Sequence, residues 1–163
     1  MREGVALCKK EGVDWVLAVG GGSVIDSAKA IANGAYIEED VWELFTTKRP
    51  NANVLPIAVV LTIPAAGSEA SKNTVISNDA LGMKTGYGNE HQRPKLAFMN
   101  PELTFTLPPY QTAAGITDMF CHLLERFFDD EGAVPVTDNL NLSLMRTVRA
   151  EAPRVLADPE DYE

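Results

Sequence analysis

The chain has 163 residues, 45% hydrophobic and 23% charged, a balance that suits a packed globular core and excludes a disordered chain. Its formal net charge of −9, with no cluster of Lys and Arg beyond isolated pairs such as Lys9-Lys10 and Lys48-Arg49, argues against a nucleic-acid surface. No apolar run approaches the ~20 residues of a membrane span, and the two cysteines, Cys8 and Cys121, lie far apart and outside any CxxC, which implies a reducing, cytoplasmic setting.

From the N-terminus, REGVALCKKEG spaces Val5, Leu7 and Cys8 as the end of an amphipathic helix stopped by Gly12. Val13–Val19, VDWVLAV, is short and almost wholly apolar, as a strand covered on both faces of a parallel sheet would be. Three glycines, Gly20-Gly21-Gly22, follow it. The spacing then predicts a helix over Ser23–Asn33, ended by Asn33-Gly34. DVWELF suits another short helix. Pro56–Pro64, PIAVVLTIP, reads as a second buried strand that runs into the small residues AAGSEAS. Strand, helix and strand in this order make a βαβ unit.

NTVISN, MKTGYG and PKLAFMN are short, β-rich and separated by turn residues, so they read as a hairpin and a strand returning to the sheet. Beyond TFTLPP only helical patterns remain: QTAAGITDMFCHLLERFFDDE and, after GAVPVTD, the run NLSLMRTVRAEAPRVL. This change of period near Leu107–Pro109 divides an α/β part, residues 1–107, from the beginning of an all-helical part, residues 108–163.

Three glycines between a strand and a helix let a ligand approach the backbone, and the first N–H groups of the helix carry partial positive charge. The arrangement suits a pyrophosphate. It is neither the GxGxxG fingerprint nor a P-loop, and on spacing alone it serves equally as a plain strand-to-helix turn. Ser23 and Asp26 fit a capping box, a reading preferred to a catalytic carboxylate. Thr62 and Ser68 sit where the second buried strand ends, at the edge where open α/β sheets bind ligands. They suit nucleotide hydrogen bonds or ordinary turn formation. Asp118 and His122, four apart on a helix, project from one face with a metal-ligand spacing that an Asp–His hydrogen bond would also satisfy. His91 lies in a polar loop and is expected to be solvated. No paired carboxylates, Ser–His–Asp elbow or Cys–His pair stands out.

Taken together and in order, DWVLAVGGGSVIDSAKAIA, VLTIPAAGSEAS, NPELTFTLPPYQTAAGITDMFCHLLERFF and PRVLADPEDYE resemble the iron-containing (group III) alcohol dehydrogenase family, in its butanol dehydrogenase or broad aldehyde reductase branch. The resemblance implies a Rossmann-like α/β domain for NAD or NADP, followed by an all-helical domain that holds a divalent metal, iron or zinc. By position, Gly21, Gly22 and Ser23 match the pyrophosphate loop, and Thr62, Ser68, Lys84, Leu103 and Thr106 match positions that line the cofactor. Asp118 and His122 match the first two of four metal ligands. The reaction implied is hydride transfer between NAD(P)(H) and a small-molecule primary alcohol or aldehyde, with the metal as Lewis acid and no side-chain nucleophile. No nucleic-acid or membrane partner is implied, and the parent enzyme is expected to be a homo-oligomer.

Two departures stand against the family pattern. Its two further metal-binding histidines would fall beyond Glu163, and its first strand would lie before Met1, so the chain reads as an internal fragment. The alternative to a working dehydrogenase is a truncated, non-catalytic remnant or a split-enzyme half that at most binds nucleotide. Ala66 also stands where many relatives carry threonine.

Overall fold

The structure, a computed structural model, describes residues 1–129, 132 and 134–162. It divides into two compact units: Met1–Thr62 with Gly67–Met99, and Ile63–Ala66 with the segment from Asn100 on. The division along the chain thus falls upstream of the pattern change at 107/108, and four residues of the loop after the second strand associate with the helical segment.

In the first unit, α1 (Arg2–Glu11) ends at Gly12, whose φ of 62° and N–H bond to the Cys8 carbonyl form a left-handed cap. Next come β1 (Val16–Gly20), α2 (Gly22–Gly34), α3 (Trp42–Thr47) and β2 (Ile57–Leu61). The hairpin strands β3 (Asn73–Asn78) and β4 (Met83–Gly88) follow, then β5 (Leu96–Phe98). Strands β1, β2 and β5 form a parallel sheet in that order, with Val16 opposite Ile57 and Ala58 opposite Leu96. The hairpin is a separate antiparallel pair. This is the mixed α/β architecture with a parallel sheet that the sequence implies.

Two features of β1 differ from expectation. It begins at Val16 rather than Val13, because its partner β2 begins at Ile57 and Val16 N–H already reaches back to the Pro56 carbonyl. Pro56 has no N–H with which to extend the ladder. Only one face of the strand is covered. Ala18, Ile57, Val59 and Leu61 pack with Ile25, Ala28 and Ala32 of α2, whereas Leu17 and Val19 on the other face remain 61% and 57% exposed. Among the described residues nothing covers that face. A second cluster joins Ala30 to Val41, Trp42, Leu44, Phe45 and Tyr87, with the Trp42 and Phe45 rings stacked at 5.5 Å. Its alanines let α2 carry the sheet on one side and this cluster on the other.

The second unit holds α4 (Pro109–Phe127) and α5 (Pro135–Ala157), which pack on one another. The last two residues of the expected first helix, Asp130 and Glu131, and the chain's final residue, Glu163, lie outside the described residues. Helix α5 begins at Pro135, six residues before the expected Asn141. A proline is well placed there, since the first helical residue needs no N–H and a φ near −65° suits it. On α4, a Cβ at Gly115 would stand 2.6 Å from the Pro64 carbonyl oxygen. The missing side chain is what lets this helix lie against residues 63–66. No helix of the described residues is long and apolar enough to cross a membrane.

Candidate functional site

The site is built from the carboxyl ends of β1 and β2. Gly20 closes β1, and a Cβ there would stand 2.7 Å from Val24 Cβ, so packing alone accounts for this first glycine. Thr62, half-buried, donates its N–H to the Gly20 carbonyl at 3.2 Å and holds the two strand ends together. Gly21 is the N-cap of α2 and has an extended backbone (φ −89°, ψ −169°) that any residue adopts. Its lack of a side chain is therefore not demanded by backbone conformation. Gly22 opens the helix and Ser23 follows it, exposed.

The expected capping box is absent, and its failure is informative. With Gly21 as N-cap, no side chain caps α2, and Ser23 instead accepts at its carbonyl from the Ser27 hydroxyl at 2.8 Å. Asp26 faces inward. One carboxylate oxygen accepts from Ser68 Oγ at 2.6 Å and the other from Val75 N–H at 2.9 Å, while its carbonyl accepts from Thr74 Oγ1 at 2.9 Å. The first N–H groups of a helix have no partner within the helix. Those of α2 are thus bare of side-chain caps at the mouth of a three-glycine turn, and the helix dipole adds positive potential there.

Ser68 is buried, and its hydroxyl is engaged twice: it donates to Asp26 and accepts from Lys29 Nζ at 2.8 Å. It supports the turn from beneath. Lys84 is exposed on β4, opposite Ser77 in the hairpin. His91 is exposed in the loop after β4, as expected.

Lys29 is the residue that sequence reasoning passed over. Its side chain has no exposed surface, and its ammonium donates to the carbonyls of Ser68, Ser71 and Asn73 at 2.7, 2.9 and 2.8 Å besides Ser68 Oγ. Burial pushes its pKa down to about 8, against the opposing pull of Asp26 and Glu69, with Arg93 adding to the decrease. A signal was present: Lys29 lies four residues after Ile25 and three before Ala32, on the core-facing stripe of α2.

In the second unit, Leu103 and Thr106 are exposed, Leu103 in a 3₁₀ turn (Pro101–Thr104) and Thr106 just after it. Asp118 and His122 share one face of α4, half-exposed, with Asp118 Oδ2 at 3.7 Å from His122 Nε2 and Glu125 Oε2 at 3.8 Å from His122 Nδ1. One divalent ion with bonds of ~2.1 Å spans the first of these gaps. A carboxylate with an imidazole suits Fe(II) or Zn(II). Among the described residues, no group of three or more His, Cys, Asp or Glu gathers as a metal site.

The sequence pattern of iron-containing alcohol dehydrogenases matches residues 1–101. The chain is 42% identical, over all of its 163 residues, to a probable NADH-dependent butanol dehydrogenase of Bacillus subtilis, of which it covers 42%. It is 35% identical over 162 residues to the NADPH-dependent aldehyde reductase YqhD of Escherichia coli, covering 98% of this chain and 42% of that one. The crystal structure of an NADH-dependent butanol dehydrogenase from Thermotoga maritima superposes with a TM-score of 0.95 at 40% identity, over 99% of this chain and 40% of the other. The chain therefore spans about two-fifths of the length of these relatives.

Proposed function

The chain belongs to the iron-containing alcohol dehydrogenase family, and we propose that the protein carrying it transfers hydride between NAD(P)(H) and a small primary alcohol or aldehyde. The observation that carries this reading is the uncapped N-terminus of α2 behind Gly20-Gly21-Gly22, a donor set shaped for a pyrophosphate. The names of the relatives, butanol dehydrogenases and an aldehyde reductase dependent on NADH or NADPH, support the substrate and cofactor class.

In this reading Gly21 and Gly22 leave room for the phosphates, and the Gly22 and Ser23 N–H groups donate to them. Thr62 ties the β2 end to the turn. Ser68 holds the turn's helix through Asp26 rather than touching the nucleotide with its engaged hydroxyl. Lys84, Leu103 and Thr106 are the further nucleotide contacts proposed, all exposed and available. Asp118 and His122 would hold the divalent metal, iron or zinc, through one carboxylate oxygen and one imidazole nitrogen. When bound, the metal polarises the substrate's carbonyl and the nicotinamide supplies or accepts the hydride.

Supplied with Fe(II), the protein should pass deuterium from [4-²H]NADH to butanal and yield singly labelled butanol. His122→Ala should bind less metal and lose label transfer. No label in the wild-type product, or transfer undiminished in His122→Ala, would contradict the proposal.

A further inference from the structure

A fully buried ammonium is costly to desolvate, and it persists only where the fold answers it with hydrogen bonds. Lys29 Nζ lies within 2.9 Å of four acceptors, yet has only three N–H groups, so at least one bond is shared. Three of the four acceptors are main-chain carbonyls between Ser68 and Asn73. Asp26, one turn earlier on α2, binds the same segment through Ser68 Oγ and the Val75 N–H. Two adjacent turns of α2 thus grip residues 68–75 by both polarities. The other charged groups acting on the ammonium, Glu69 and Arg93, have opposite signs.

We infer that Lys29 is a positioning residue: its ammonium fixes residues 68–75 against α2 and thereby sets the place of the glycine turn relative to the end of β2. The inference rests on the nucleotide reading of that turn and adds the device that keeps it in shape. Ser68, Ser71 and Asn73 each contribute a main-chain carbonyl, with the Ser68 hydroxyl as the one side-chain acceptor, so the clamp specifies the backbone path itself. A methionine of similar length would fill the space but leave these carbonyls without their donor.

The test uses the full chain, with amide hydrogen exchange as one readout and the dissociation constants of ADP-ribose and adenosine as the other. Adenosine has no phosphates and so does not engage the glycine turn. In Lys29→Met, protection of the Asn73–Val75 amides should fall about tenfold while β1 and β2 keep theirs. ADP-ribose should bind about tenfold more weakly and adenosine within about twofold of wild type. Lys29→Arg, which keeps the charge and its donors, should restore most of both.

Unchanged protection at 73–75 would overturn the clamp. An equal loss for both ligands would overturn the positioning role and leave Lys29 a residue of the fold alone. Should Lys29→Met fail to fold, Ser68→Ala removes one acceptor of Lys29 and one of the two carboxylate bonds of Asp26 to the segment, and the same criteria apply. A wild-type chain that binds neither ligand would overturn the nucleotide reading and this inference with it. Equal ADP-ribose binding by wild type and variant would overturn the inference alone.

Discussion

Lys29 and Asp26 share one helix, three residues apart, with Nζ and Oδ1 at 4.0 Å, but their main partners are about forty to fifty residues away. That separation is why the capping-box reading of Ser23 and Asp26 failed: a local spacing rule sees the next three residues, and the winning partners came from β3 and the segment before it. The pH behaviour of Lys29 has a definite sign. Its pKa in the fold is about 8, against 10.5 when free, so between these values the unfolded chain binds the proton that the folded chain has released. Stability contributed through this group therefore rises as pH climbs from about 8 towards 10.5, and below about 8 the full desolvation penalty is in place. Denaturant melts of wild type and Lys29→Met should show their stability difference growing in favour of wild type from pH 8 to pH 10. A difference that shrinks or stays flat over that range would contradict the burial argument.

At the scale of elements, periodicity carried most of the reading. The apolar runs gave β1 and β2, Gly12 marked the end of α1, and the hairpin followed from short β-rich segments between turns. The ends were less legible because they depend on partners. Pro56 sets where β1 can begin pairing, although it lies forty residues later in sequence. The continuous apolar character of β1 implied cover on both sides, but only the α2 side is packed. Leu17, Val19, Leu96 and Phe98 thus form an exposed apolar face on the parallel sheet. The chain should bind a hydrophobic dye there. Leu17→Lys with Phe98→Ser should reduce dye binding at little cost in stability, since these side chains bury little; undiminished fluorescence would place the dye elsewhere. In the helical unit, Gly115→Ala puts a methyl against the Pro64 carbonyl oxygen, a backbone atom that cannot swing aside. A loss of about 1–3 kcal/mol in thermal or denaturant unfolding is expected, and an unchanged midpoint would mean that α4 does not lie as close as described.

For the molecule as a whole, three kinds of observation bear on function. The family match over residues 1–101 fixes ancestry, the TM-score of 0.95 over 99% of the chain fixes the fold, and the glycine turn with its uncapped helix is the proposed site. The site was partly legible in sequence. Gly21, Gly22 and Ser23 stand at the start of α2, one residue after the strand, as their spacing implied, and Asp118 and His122 do share one helical face. Spacing placed Lys29 on the core-facing stripe with Ile25 and Ala32, but its acceptors lie some forty residues away in sequence, so the support beneath the turn was not legible. The central claim is that this turn binds a dinucleotide's pyrophosphate through bare helix N–H groups. Its most direct test is a calorimetric titration of the wild-type chain and Gly22→Val with ADP-ribose. The account predicts saturable binding at one site, weakened about tenfold or more by a valine that covers the N–H groups. Failure of the wild-type chain to bind, or equal affinity in the variant, would contradict it.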